Sequence, residues 1–284
     1  MENPNPIISG FHIAAMLSAG NGKLQTSLDL GLSKSVVEKS SSGVTFPGGQ
    51  FISIEKLQHA RRRHRDEDCF TIEGDSMFYL YRFDGKTAYR LYEPKKDWPP
   101  TLWINGSMMH TVSVSKPTDE AMEKARELGR RPGMVLETCF GLGYSAIALI
   151  QKCGAIGVSS HEISSDVLDI ARENPWSGKA LSDSRINVSN NDIKEAIHEV
   201  EDSSFDSVLH DPPNVKIDGE LYSEKFYSEL FRVLKRGGKL YHFVGGGKTP
   251  HEYKVNYTRG VMRRLSEAGF SSVKRSYRGV SAVK

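Results

Sequence analysis

Residues 135–149 read VLETCFGLGYSAIAL, an apolar run that breaks at two glycines and resumes with helical spacing. An apolar run without alternation is the mark of a strand covered on both faces, because a half-exposed strand would alternate. Gly141 and Gly143 let the backbone turn sharply and leave open the space a Cβ would fill. With Ala146 they also fit the glycine pattern of dinucleotide sites, so the turn alone does not choose a ligand. Tyr144 opens the helix beyond the turn, where ligand contact and helix packing explain an aromatic equally well.

The same alternation continues through the second half of the chain. After the helix YSAIALIQKC come the strand AIGVSSHE, the helix SSDVLDIAREN, the strand RINVSN, the helix DIKEAIHEV and the strand FDSVLHD. LYSEKFYSELFRVLK then places Phe226, Leu230, Val233 and Leu234 on one stripe and is expected to stop at Gly237 and Gly238. KLYHFVG is a strand, VNYTRGVMRRLSEAG a helix and SVKRSYRGVSAVK a closing hairpin. Pro117, Thr118 and Asp119 open the first helix of this half, with Thr118 as its expected cap. Strands alternating with helices predict an α/β fold with a Rossmann-like, doubly wound, mostly parallel sheet over residues 116–284.

Residues 1–115 carry a different pattern and are expected to form a smaller β-rich α+β domain, clearest over residues 25–112. CFTIEG, MFYLYRF and TAYRLYE are short β-branched and aromatic runs, and Asp84 and Gly85 mark a hairpin turn. A helix starting near Ile54 carries RRRHR, from Arg61 to Arg65. A length of 284 residues suits two domains, and a net charge of +3 from 38 basic and 35 acidic residues neither requires nor forbids nucleic acid. The three cysteines form no CxxC pair, the start MENPNPIISG lacks a signal-peptide pattern, and no apolar run is long enough to span a bilayer. A cytoplasmic protein without membrane association or a metal site is therefore expected.

In sheets of this kind ligands collect beyond the carboxyl ends of the strands. Glu162 ends the second strand, 19 residues past Gly143, at the spacing expected of a carboxylate that grips ribose hydroxyls. Glu137 stands four residues before Gly141, where a carboxylate meets a cationic amino group, a feature that favours S-adenosylmethionine over NAD. Asp192 follows the third strand and either accepts the adenine amino proton or caps the next helix. The fourth strand runs into HDPPN, which sets Asp211 and Pro212 at the reaction face.

With these residues in view, ETCFGLGYSAIAL, ARENPWS, HDPP, GELYSEKFYSELFRVLKRGGKLYHFVG and RGVMRRLSEAGF resemble a family of archaeal class I S-adenosylmethionine-dependent methyltransferases. SLDLGLS and PTLWINGSMMH resemble the N-terminal part of that family, so the likeness spans most of the chain. The resemblance implies Glu137, Gly141, Gly143, Glu162, Asp192 and Asp211 as cofactor-pocket or reaction-face positions, and leaves the acceptor open.

Asp211 with the Pro212 carbonyl resembles the D/N-P-P-aromatic motif of enzymes that methylate exocyclic amines, although Asn214 stands where the stacking aromatic would be. An amine nitrogen on RNA, protein or a small molecule is the favoured acceptor. GELYSEKFYSEL also looks like the corresponding helix of spermidine synthase-like aminopropyltransferases, in which Asp211, Asp218 and Glu220 would hold a polyamine. A third reading makes the chain a nucleic-acid-binding protein with an inert Rossmann-like half, using Arg61 to Arg65 on RNA; the DED run that follows favours a solvated helix face instead. Cys139 reads as a small strand-end residue lining the pocket and Trp176 as a buried helix-end group; His210 reads as packing beside the loop with acid–base work left open, and residues 108–110 stand just before the domain junction, where they could line the pocket mouth. The sequence does not settle the oligomeric state.

Overall fold

The computed structural model describes residues 5–245 and 251–284. These form two compact units, one of residues 1–117 with 166–178 and one of residues 118–165 with 179–284.

In the first unit the poorly patterned residues 5–24 include a strand and a helix. Strand β1 (Ile7–Ser9) pairs with β6 (Cys69–Glu73) and leads into α1 (Gly10–Ser18). A sheet of β2 (Gly22–Thr26), β3 (Ser35–Lys39), β4 (Gly43–Thr45) and β5 (Phe51–Ser53) precedes α2 (Ile54–Arg63), whose cap Ser53 accepts from the Lys56 amide. Ile8, Ile13, Met16, Val37, Ile52 and Leu57 share one core, so β1 and α1 belong inside the fold. Such short, mixed segments carry too few periods to be read from sequence.

MFYLYRF is two strands, β7 (Ser76–Tyr79) on β6 and β8 (Tyr81–Phe83) on β9 (Ala88–Tyr92), because the chain changes sheet at the buried Leu80. The expected hairpin holds, with Asp84 accepting from the Lys86 and Thr87 amides. β10 (Thr101–Ile104) and β11 (Ser107–Met108) close that sheet through Asn105 and Gly106, both at positive φ as a two-residue hairpin requires.

In the second unit α3 (Pro117–Arg126) begins one residue before the expected cap Thr118. Proline suits that first position, since its fixed φ is helical and its missing N–H would have had no partner there. Strands β12 (Met134–Glu137), β13 (Gly157–His161), β14 (Ile186–Ser189), β15 (Phe205–His210), β16 (Leu234–Phe243), β17 (Ser271–Ser276) and β18 (Gly279–Val283) build one seven-stranded sheet in the order β14-β13-β12-β15-β16-β18-β17. All neighbours are parallel from β14 to β16, and β18 runs antiparallel to both its neighbours. This is the doubly wound α/β sheet with a closing hairpin that the sequence predicts.

The connections are α4 (Tyr144–Ala148), continued by a π-helical stretch (Leu149–Cys153), then α5 (Ser165–Glu173), α6 (Gly178–Ser182), α7 (Ile193–Ala196), α8 (Glu224–Val233) and α9 (His251–Glu267). α5 and the turn after it count with the first unit, where the Trp176 indole donates to the Leu30 carbonyl. α8 stops at Val233 and not at Gly237, because Leu234 already pairs with Phe205 as the first residue of β16. Gly237 and Gly238 instead exchange backbone hydrogen bonds with Lys284.

Gly143 needs to be glycine on two counts. Its φ is 72°, and a Cβ there would stand 2.5 Å from the Phe140 ring and 2.9 Å from Ala180. Gly143→Ala is expected to lower the melting temperature, with left-handed strain alone costing about 1–2 kcal/mol. An unchanged melting temperature would show that the turn relaxes freely.

Candidate active site

The carboxyl ends of β14, β13, β12 and β15 lie side by side, and each carries one of the residues singled out from sequence. Glu137 ends β12 and is completely enclosed. Its Oε2 accepts from the Ser160 hydroxyl at 2.6 Å, while its Oε1 has no hydrogen-bond partner among the described residues. Burial pushes this carboxyl up to about 7, against the bonded Ser160 hydroxyl and the nearby Ser145 hydroxyl, which makes no hydrogen bond to it but also favours the charged form. A buried acceptor without a partner is rare and calls for a reason.

The glycine turn follows. Gly141 has a φ of 56°, and its amide donates to Glu162 Oε2 at 3.0 Å. Glu162 Oε1 takes the Ser164 amide at 3.0 Å, so this carboxylate fastens the glycine turn to the end of the second strand. Burial raises its pKa, although the Ser164, Gly141 and Ile163 amides oppose that. Each oxygen of a carboxylate has two lone pairs, so Glu162 keeps capacity for hydroxyl donors. Tyr144 is buried as the first residue of α4.

Asp192 caps α7, accepting from the Lys194 amide at 2.9 Å. The Lys194 ammonium lies 2.8 Å from Asp218 and 3.6 Å from Glu220 and Asp192. The acidic residues that a polyamine would need thus already hold a resident cation.

At the fourth strand, His210 is fully buried. Its Nε2 sits 2.9 Å from the Leu221 carbonyl, which only an N–H can satisfy, so its Nδ1 accepts from the Thr138 hydroxyl at 2.8 Å. Burial drops its pKa to about 3, and it is a neutral brace between β12 and the loop after β15. In that loop the Tyr222 hydroxyl donates to the Pro213 carbonyl at 2.8 Å and Asn214 accepts from the Lys216 amide. Pro212 is buried.

Asp211 has a partner the sequence reading did not name. Lys124 of α3 brings its ammonium to 2.6 Å from Asp211 Oδ2, 3.2 Å from Glu120 and 3.8 Å from the centre of the Phe243 ring. Arg278, in the β17–β18 turn, lies 2.9 Å from the other Glu120 oxygen. Glu120 and Lys124 fall on the same helical face as Ala121, Ala125 and Leu128, all buried. An Asp/Glu–Lys pair at i,i+4 within an apolar stripe was the available signal.

In the first unit, Arg61 pairs with Asp66, while Arg62 and Arg63 have no ion-pair partner among the described residues. His12, Glu93 and Asp97 come together there, with the two ring nitrogens of His12 taken by Ser9 and Asp97. No helix among the described residues is long and apolar enough to cross a membrane.

A family model described as S-adenosyl-L-methionine-dependent methyltransferase matches residues 161–251, the span that holds Glu162, Asp192 and Asp211. The chain is 41% identical over 254 residues to the uncharacterized protein MJ1233 of Methanocaldococcus jannaschii, covering 88% of this chain and 84% of that protein. Among solved structures, spermidine synthase from Thermotoga maritima superposes with a TM-score of 0.55 at 16% identity, covering 74% of this chain and 75% of that one. A spermidine synthase in complex with the transition state analogue AdoDATO gives a TM-score of 0.55 at 16% identity, covering 74% of each chain. At that identity the likeness is one of fold.

Proposed function

This chain belongs to the family of the Methanocaldococcus jannaschii protein MJ1233, and we propose that it is an S-adenosylmethionine-dependent methyltransferase acting on an amine nitrogen. The observation that carries the reading is the enclosed Glu137 carboxyl, with an unpartnered oxygen directly before the glycine turn. S-adenosylmethionine would bring an ammonium to this carboxyl, a group that NAD does not carry. The match of residues 161–251 to the methyltransferase model supports the same cofactor.

In this reading the donors and acceptors present fit the cofactor. Glu137 acts on its amino group as a fixed charge beneath the turn. Gly141 and Gly143 clear the space, with Tyr144 packing behind them, Glu162 takes the ribose hydroxyls and Asp192 faces the adenine. Bound there, S-adenosylmethionine supplies a methyl group already made electrophilic by its sulfonium, so the protein has to align a nucleophile and exclude water. Asp211 and the Pro212 carbonyl accept the protons of the acceptor amine and aim its lone pair. S-adenosylmethionine bound there would supply the methyl group to that nitrogen and leave as S-adenosylhomocysteine, and Asp211 would take the proton that the amine gives up.

Calorimetric titration with S-adenosylmethionine, its decarboxylated form and NAD tests the cofactor, and the by-product tests the reaction. Methyl transfer predicts tightest binding of the intact cofactor and release of S-adenosylhomocysteine. Tighter binding of the decarboxylated form with release of methylthioadenosine would make it an aminopropyltransferase, and binding of NAD alone would overturn the cofactor. Glu162→Ala is expected to weaken cofactor binding by roughly 1.5–3 kcal/mol, the contribution of a charge-assisted hydrogen bond; unchanged affinity removes Glu162 from the site.

A further inference from the structure

We infer that Lys124 is the positioning residue for the acceptor: it takes one oxygen of Asp211, keeps that carboxylate ionised and leaves the other oxygen to receive the acceptor's proton. The acceptor side of this inference rests on the methyl-transfer reading; the hold of Lys124 on Asp211 stands on the geometry alone.

Arg278, Glu120, Lys124 and Asp211 form a chain of alternating sign from the β17–β18 turn, through α3, to the loop after β15. Two positive and two negative charges balance within it. Lys124 and Glu120 have 4% and 1% of their side chains exposed, against 21% for Asp211, so the enclosed charges end in the carboxylate that is partly open beyond the carboxyl end of β15. Lysine is almost never buried unless paired, and a buried pair is a weak source of stability, since apolar residues of like volume often do as well. What such a pair does supply is a fixed position. The ammonium lies against the Phe243 ring and between two carboxylates, so it has no second place to go and Asp211 Oδ2 stays bound to it.

The charge state follows from the same contacts. Burial raises the Asp211 pKa and Lys124 opposes that rise. Burial also works against the Lys124 charge, but Asp211 and Glu120 outweigh it and its pKa stands above the ordinary value. Facing Asp211 are Glu120 and Lys124 from α3, Glu137 from β12, Tyr241 from β16 and Arg278, with Cys139 and Tyr222 beside it. Lys124 is the first of these to favour the ionised carboxylate. An ionised Asp211 draws a protonated amine and can then take its proton; a protonated one can do neither.

The test follows the Asp211 carboxyl by NMR titration of the full chain grown with isotope-labelled aspartate, its signal assigned by loss in Asp211→Asn. In Lys124→Met the Asp211 midpoint is expected to rise by about 1–3 pH units, the effect of removing an adjacent cation. Lys124→Arg is expected to restore it. Glu120→Gln, which removes a like charge, is the second variant and is expected to shift the midpoint downward. In activity, the acid limb of the kcat profile of Lys124→Met should move to higher pH with the same sign, while its calorimetric affinity for S-adenosylmethionine stays within threefold of the parent. An Asp211 midpoint equal in Lys124→Met and the parent overturns the inference. Absence of methyl transfer in the parent overturns the functional reading instead, and the titration still decides the role of Lys124.

Discussion

Glu137→Gln is expected to weaken S-adenosylmethionine binding tenfold or more, about 1.4 kcal/mol, while raising the melting temperature of the ligand-free protein above pH 7. Both effects come from one enclosed carboxyl. Its pKa is pushed up to about 7 from an ordinary 4.5, chiefly by burial, so the folded chain prefers it protonated. The stability it costs is absent below the ordinary pKa, grows as pH rises between about 4.5 and 7, and is complete above that. Glutamine keeps the shape and an acceptor for Ser160 but carries no charge, so that cost disappears. The cofactor's amino group calls for the opposite state of the same residue. Parent affinity should therefore climb as pH rises through about 7 and then level, and binding below that pH should release a proton. Calorimetry across pH in buffers of different ionisation enthalpy measures both. If Glu137→Gln binds as tightly as the parent and is no more stable, Glu137 is a structural group under the turn.

Asp211→Asn is expected to lower kcat by about 10²–10⁴, the range of a positioned acid or base, with cofactor affinity unchanged. Asparagine still offers Lys124 an oxygen, so the fold is kept while the proton acceptor is lost. Asp211→Ala removes that oxygen too and leaves an enclosed ammonium with Glu120 as its remaining carboxylate. It is expected to cost about 3 kcal/mol of stability as well, as breaking a buried pair does. Comparing the two variants separates chemistry from folding. Full turnover in Asp211→Asn would remove Asp211 from the reaction and return attention to His210. That residue is an unpromising base, because both its ring nitrogens are engaged and its pKa is depressed to about 3.

The features legible in the sequence are those written in a few neighbouring residues. Gly141 and Gly143 mark a turn that needs positive φ, and both adopt it. Apolar runs such as VLE and SVLH mark strands covered on both faces, and β12 and β15 are adjacent and parallel in the sheet. Asp84 and Gly85 mark a hairpin through side-chain and backbone preferences within one turn. Asn105 and Gly106 carried the same kind of signal. Local patterns of this sort are reliable because backbone preference and side-chain periodicity act over a few residues.

The charge partners were decided by packing between distant segments. Lys124 and Asp211 are 87 residues apart, and Arg278 and Glu120 are 158 apart. In PTDEAMEKAR the i,i+4 spacing sets Glu120 and Lys124 on the apolar stripe, but nothing local names Asp211 as the partner. Only the sheet order, which brings β15 and β16 beside each other and the β17–β18 turn toward α3, encloses Lys124 and gives it that partner. In the same way Lys194 collects Asp192, Asp218 and Glu220, and residues 166–178 leave their sequence neighbours to join the first unit. Turns and strands follow from the energy of a few dihedrals, whereas the pairing of buried charges follows from which surfaces lose their water, and that is settled only when the whole chain is folded.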